Sequence, residues 1–227
     1  MYRNLILVFF ALFSAVLAGC QSAASKTETV AKRYPIAVTR YYVRYIAAKK
    51  ELQAEVNFQM QEKDGALPSK YFFADAQMQV KKLPEFGTTF RHIAAPATFA
   101  SPFVFRYFEQ SGEEQRDSIT LPFLLDLHFG SKGLSLTKGG LLVWTGPALE
   151  ATDLLRIILT DAKGGTTTIN HVGKTPEGQL PLPLEQIATL PLGKATCAIS
   201  LTRANASEHI IRRAEYYFED FEIEITK

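Results

Sequence analysis

Cysteine is scarce in this 227-residue chain, which has only Cys20 and Cys197. Two thiols cannot staple a disulfide scaffold or build a Cys-rich zinc site. Glycine (14) and proline (11) are too few for a collagenous or low-complexity chain, and a hydrophobic share of 47% is too high for disorder. Neither charge dominates: 25 Lys and Arg stand against 23 Asp and Glu, a net +2. Phosphate neutralisation needs clustered excess cations, so no nucleic-acid partner is expected. Lys81-Lys82 and Arg212-Arg213 are pairs, not polybasic patches. His92, His128, His171 and His209 lie far apart and outside any metal-ligand spacing. No Ser stands in a GxSxG elbow and no DxDxDG calcium loop occurs, so no catalytic residue, metal or cofactor is expected. Long apolar runs are missing too, with one exception.

That exception opens the chain. Arg3 makes a short positive region, and an apolar run from Leu5 continues to Leu17. At about 1.5 Å per residue the run is short for a hydrocarbon core of about 30 Å. It ends in small residues and a cysteine, Leu17-Ala18-Gly19-Cys20. Such an outline belongs to a cleavable secretory segment, not to a permanent membrane helix.

These last four residues resemble the lipobox of bacterial lipoprotein precursors. The resemblance implies that Cys20 carries a thioether-linked diacylglyceryl group, that the chain is cut before it, and that the new amino group takes a further acyl chain such as palmitate. Two or three acyl chains anchor a protein far more firmly than one. Gln21 follows the cysteine instead of the Asp associated with inner-membrane retention, so the resemblance implies the outer membrane. Residues 1–19 are then a signal peptide, and residues 20–33 are the lipidated Cys20 with a polar tether. Thirteen extended residues, 21–33, reach at most about 45 Å. Removing 19 residues, Arg3 among them, leaves 208 and lowers the side-chain charge from +2 to +1.

The rest of the chain has a period of two. Leu52, Ala54, Val56, Phe58 and Met60 alternate with polar residues, as in a strand with one buried face. Ala74, Ala76, Met78 and Val80 repeat the pattern after the turn signal Lys63-Asp64-Gly65. Residues 36–46 and 102–108 are aromatic and β-branched, which suits pleated surfaces. Strands are also expected at Leu141–Trp144, Leu154–Thr160, Ala195–Thr202 and Phe221–Ile225, with a hairpin at Asp161–Gly165. Pro183 introduces one or two helical turns.

Short strands at this spacing predict an all-β chain of two antiparallel sandwiches, residues 34–121 and 122–227. The boundary follows the polar stretch Ser111–Asp117. One larger sandwich is the rival. The second half is similar in outline to immunoglobulin-like domains: an early Trp144, a short turn before a penultimate strand, and a final strand. It lacks their inter-sheet cysteine pair.

Candidate chemistry is thin. Cys197 sits at an inward strand position and is expected to pack. Asp126 and His128 share a strand face as a surface pair. Glu215, Glu219, Asp220, Glu222 and Glu224 form the densest acidic run and are expected to be solvated. Aromatics crowd the first half: Tyr34, Tyr41, Tyr42, Tyr45, Phe72, Phe73, Phe103, Phe105, Tyr107 and Phe108. In 41–45 and 103–108 they occur at both parities, so some are expected to face outward, where rings stack on sugars or peptides.

The expected protein is an outer-membrane lipoprotein, lipid-anchored at Cys20. Its expected role is a non-enzymatic binding or scaffolding module with an envelope protein or glycan as partner. Two alternatives stand: a carbohydrate hydrolase using paired carboxylates about 5–9.5 Å apart, and an accessory subunit of an envelope assembly.

Overall fold

The computed structural model describes residues 36–60, 68, 70–83, 87–108, 111–131 and 133–227. Cys20 with its motif, the tether, Tyr34 and the Lys63-Asp64-Gly65 turn lie outside them.

Period-two alternation becomes strands along the chain. The first half carries β1 (Ile36–Ile46), β2 (Glu51–Met60), β3 (Tyr71–Phe73), β4 (Ala76–Gln77), β5 (Gln79–Leu83), β6 (Gly87–Ala94), β7 (Phe103–Phe108) and β8 (Glu114–Ile119). A 3-10 turn, Ala47–Lys49, joins β1 to β2. The second half carries β9 (Leu125–Phe129), β10 (Gly133–Ser135), β11 (Gly140–Thr145), β12 (Asp153–Asp161), β13 (Thr166–Val172) and β14 (Gln179–Leu182). A helical turn, α1 (Leu184–Ile187), precedes β15 (Gly193–Ala206), β16 (Ile210–Tyr217) and β17 (Phe221–Thr226). The chain is all-β, in several sheets.

One expectation needs correction. Ala74–Val80 is not one alternating strand: Ala74 and Asp75 take φ of +46° and +68°, a left-handed turn that folds β4 back on β3. The polar stretch Ser111–Asp117 runs into β8, where Glu114–Ile119 pairs with β7 along its length. Arg116 on this strand is exposed, whereas Asp117 turns inward and accepts both prongs of Arg212 at 2.6 and 2.8 Å.

The largest sheet runs β10-β17-β15-β16-β1-β2-β6-β5, with β12 and β13 on the far edge of β15. Its pairing is not purely antiparallel. β1 runs parallel to β16, and β10 parallel to β17. Gly133 allows the second of these approaches, since a Cβ there would sit 2.0 Å from the Glu224 carbonyl oxygen. Through β1 and β16 the sheet crosses from one half of the chain to the other.

Two smaller sheets cover the inward face of this one. β4-β3-β7-β8 lies over β1, β2 and β6: Tyr41 meets Phe105 at 4.9 Å and Tyr71 meets Phe90 at 4.8 Å between ring centroids. β14-β11-β9 contributes Leu142, Trp144, Phe129 and Leu182 to the core that holds Leu155, Ile157, Ile199 and Ile223. Each such side chain contributes about 1.5–3 kcal/mol of transfer free energy, which is why alternation decides the inward face. The Trp144 indole N–H donates to the Pro147 carbonyl at 3.0 Å and so stays satisfied in the apolar interior.

Candidate functional site

β15 changes partner partway along. Its N-terminal part, Gly193–Cys197, pairs with β17, and its C-terminal part, Ser200–Ala206, pairs with β16. Phe218–Glu219–Asp220 links these two partners, tied to β15 by the Phe218 N–H donating to the Ile199 carbonyl at 3.0 Å. Two grooves share this link.

The first has a volume of about 720 Å³ and is bordered by Arg44, Ile46, Ile158, Ser200 and Tyr217. Behind Arg44 lies a polar network centred on Glu215, which is 2% exposed. The Tyr42 hydroxyl donates to Glu215 Oε2 at 2.5 Å and that of Tyr217 at 3.1 Å. Arg44 Nε and Nη2 each donate at 3.3 Å, and Arg213 donates to Oε1. Arg44 also lies over both rings, 5.4 Å from Tyr42 and 5.1 Å from Tyr217. Burial alone would push the Glu215 carboxyl up, but these hydroxyls and the Arg213 guanidinium hold it below the usual glutamate range. Burial and the hydrogen bond to Glu215 push the Tyr42 hydroxyl up. The network therefore favours the ionised carboxylate, which suits Glu215 poorly to giving up a proton as a general acid.

The second groove, about 490 Å³, gathers Phe123 to His128, Tyr216, Phe218 to Phe221, and Ala47 just after β1. Phe123 is 40% exposed and stacks on Phe99 at 4.8 Å with the rings 16° apart. Tyr216 stands edge-on to Phe99 at 5.0 Å and meets Phe218 at 4.4 Å. Gly146 makes room for this arrangement: at φ +144° its missing Cβ would sit 2.7 Å from the Phe123 carbonyl oxygen. Asp126 takes φ +51° where β9 carries one residue more than β11 opposite, a bulge that re-aims its side chain. Asp126, Glu219 and Asp220 are exposed at the groove, and none forms an ion pair with a described Lys or Arg. The 3-10 turn beyond Ala47 carries Lys49, and Lys50 follows it; neither lines the groove.

The other sequence candidates disperse. Cys197 is fully buried, and burial with the nearby Asp220 pushes its thiol up to about 12, so it packs as a small hydrophobe. His128 turns to the Asp126 backbone: Nδ1 lies 2.5 Å from that carbonyl oxygen. His92 packs 5.9 Å from Phe73 and His171 Nε2 lies 3.2 Å from the Gly173 carbonyl oxygen. Among the described residues no three His, Cys, Asp or Glu side chains converge as metal ligands. Glu222 and Glu224 are solvated as expected, whereas Glu215 is not. Of the outward aromatics, Tyr42 joins the Glu215 network, and Phe72 meets Phe108 at 6.1 Å on the outer face of the small sheet. Tyr41, Tyr45, Phe73, Phe103 and Phe105 are core.

Phe99 and Phe123 are isolated in sequence, Phe218 follows Tyr216-Tyr217 and Phe221 opens β17, so nothing local marks these residues as one aromatic surface. Glu219 and Asp220 were visible as part of an acidic run, but nothing local tied them to an aromatic surface.

No family model matches the chain, and no curated protein matches it. Among solved structures it is similar to the first two immunoglobulin domains of DIP-gamma, at 10% identity, 85% of this chain, 96% of that one and a TM-score of 0.25. It is similar to a 1.5-MDa bacterial ice-binding adhesin at 8% identity, covering 85% and 66% with a TM-score of 0.23. A SusE-like surface polysaccharide-binding protein from the heparin utilisation locus of Bacteroides thetaiotaomicron aligns at 13% identity, 82% and 34% coverage and a TM-score of 0.24. Superpositions at such scores establish no common fold.

Proposed function

We propose that this chain is an outer-membrane lipoprotein, acylated on Cys20, whose folded part is a non-enzymatic binding module built from two immunoglobulin-like sandwiches that divide near Leu121–Pro122. The second groove is its binding site. One observation carries the reading: an exposed aromatic surface, Phe123 on Phe99, shares an open groove with three carboxylates that the described chain leaves unpaired.

The hydrolase alternative fits less well. A general acid of that class sits in an apolar pocket that keeps it protonated. Asp126, Glu219 and Asp220 are open to water, and Glu215 is held ionised.

Photo-crosslinking in the envelope tests the reading. A benzophenone side chain replacing Phe123 should give a discrete adduct, and the same probe replacing Val172, 69% exposed on β13, should not. Equal labelling at both positions, or none at Phe123, would sink the proposal.

A further inference from the structure

Twice within its own fold the chain builds the same small site. Arg44 lies over the rings of Tyr42 and Tyr217 and donates to the Glu215 carboxylate. Arg106 lies 5.6 Å from the Phe72 ring centre and pairs with Asp75 at 2.6 Å. In each, a guanidinium carbon lies over an aromatic ring, 5.1–5.6 Å from its centre, while its N–H groups donate to a carboxylate, a combination in which arginine exceeds lysine. The second groove holds the same two halves, with Phe123, Tyr216 and Phe218 as rings and Asp126, Glu219 and Asp220 as carboxylates; among its described lining residues the basic group is His128, turned to the Asp126 backbone, and there is no Lys or Arg.

We propose that this groove takes an arginine side chain, flanked by apolar residues, from a peptide segment of a partner protein. This rests on the groove being the binding site and goes further by naming what enters it. Charge complementarity decides the occupant. Covering three like charges with a neutral ligand removes them from water without compensation, which is costly. A guanidinium offsets part of that charge by pairing with a carboxylate and can lie on a ring at the same time. The apolar neighbours of that arginine meet Phe123 and Leu125, which are 40% and 45% exposed and flank the acidic residues.

The test uses the full chain in zwitterionic nanodiscs, with empty discs as the blank. Three probes are compared: a fluorescent peptide with one arginine between Leu and Phe, the same peptide with citrulline in place of arginine, and the neutral oligosaccharide cellohexaose. Citrulline keeps the shape and removes the charge. The arginine peptide should bind about tenfold tighter than the citrulline peptide, a ratio typical of one partly buried charge pair. It should weaken by about as much in the Glu219→Gln, Asp220→Asn double variant, and in 0.5 M against 0.05 M salt. Both substituted residues are exposed, so the fold is retained; Phe123→Ala should also lower binding. Equal affinity for the citrulline peptide, or an unchanged double variant, would overturn the arginine inference. Cellohexaose binding that is lost in Phe123→Ala, with no arginine-peptide binding, would overturn it too but leave the groove standing as the site. Binding of none of the three overturns both.

Discussion

Glu215 on β16 stands directly opposite Arg44 on β1 in a parallel register, 171 residues away in the chain. Parallel pairs need long connections, and this one joins the first described strand to nearly the last. Val43 beside Ala214 and Tyr45 beside Tyr216 continue the register on the buried face. The contact therefore couples the two halves of the molecule with a charge on one face and apolar packing on the other.

Removing that carboxylate should loosen the seam. Glu215→Ala leaves two hydroxyls and two guanidinium groups without their common acceptor. Arg44 and Arg213, 37% and 52% exposed, can turn to water, so the loss falls short of a fully buried pair, at about 2 kcal/mol. Urea unfolding followed by far-UV circular dichroism measures it. An unchanged midpoint would mean that the network adds nothing to stability.

The same group makes stability depend on pH. The folded Glu215 carboxyl lies below its unfolded value, ordinarily about 4.3, so the unfolded chain takes up its proton first as pH falls. Its contribution is complete above that value and is lost as pH drops through the lower folded one. Urea midpoints of the wild type and Glu215→Gln should therefore differ most near neutrality and converge in acid. A gap that widens toward pH 3 would contradict the sign.

A second carboxylate is still better enclosed. The Asp153 side chain is fully buried and accepts both prongs of Arg203, at 2.6 and 2.8 Å, together with the Glu150 backbone N–H at 2.8 Å. Arg203 is itself 18% exposed, so Asp153→Ala should cost about 3–5 kcal/mol, the larger of the two carboxylate losses. Thermal unfolding compares the variants directly. Equal losses would mean that enclosure does not set the size of the effect.

The cysteines separate by chemistry. Cys20→Ser should abolish palmitate incorporation and release the protein from membranes, whereas an acylated and cleaved variant would refute the anchor. In that variant Cys197 is the sole thiol, and with its pKa near 12 it should resist Ellman's reagent at pH 8 until the protein unfolds. Rapid labelling of the native form would show the site to be open.

Much of the secondary structure was legible because it is local. Leu52 to Met60 alternates at the pleat's own period, so β2 could be read directly, and Asp161–Gly165 carries its own turn residues. β8 and β16 were not legible: Glu114–Ile119 is polar on both faces, and Ile210–Tyr217 mixes two arginines and a glutamate among apolar residues. Strands of that kind form because a neighbour pairs with them.

The amino-acid order alone determined the all-β class and the inward face of strands such as β2, since each depends on period and composition. Tertiary structure alone decided that Glu215 is buried while Glu219 and Asp220 are open, and that Phe123 and Phe218 share a groove with them. The acidic run looks uniform along the chain. Partner choice by β1 and β15, set by non-local hydrogen bonding and core packing, put its first member at a seam and the next two at a groove.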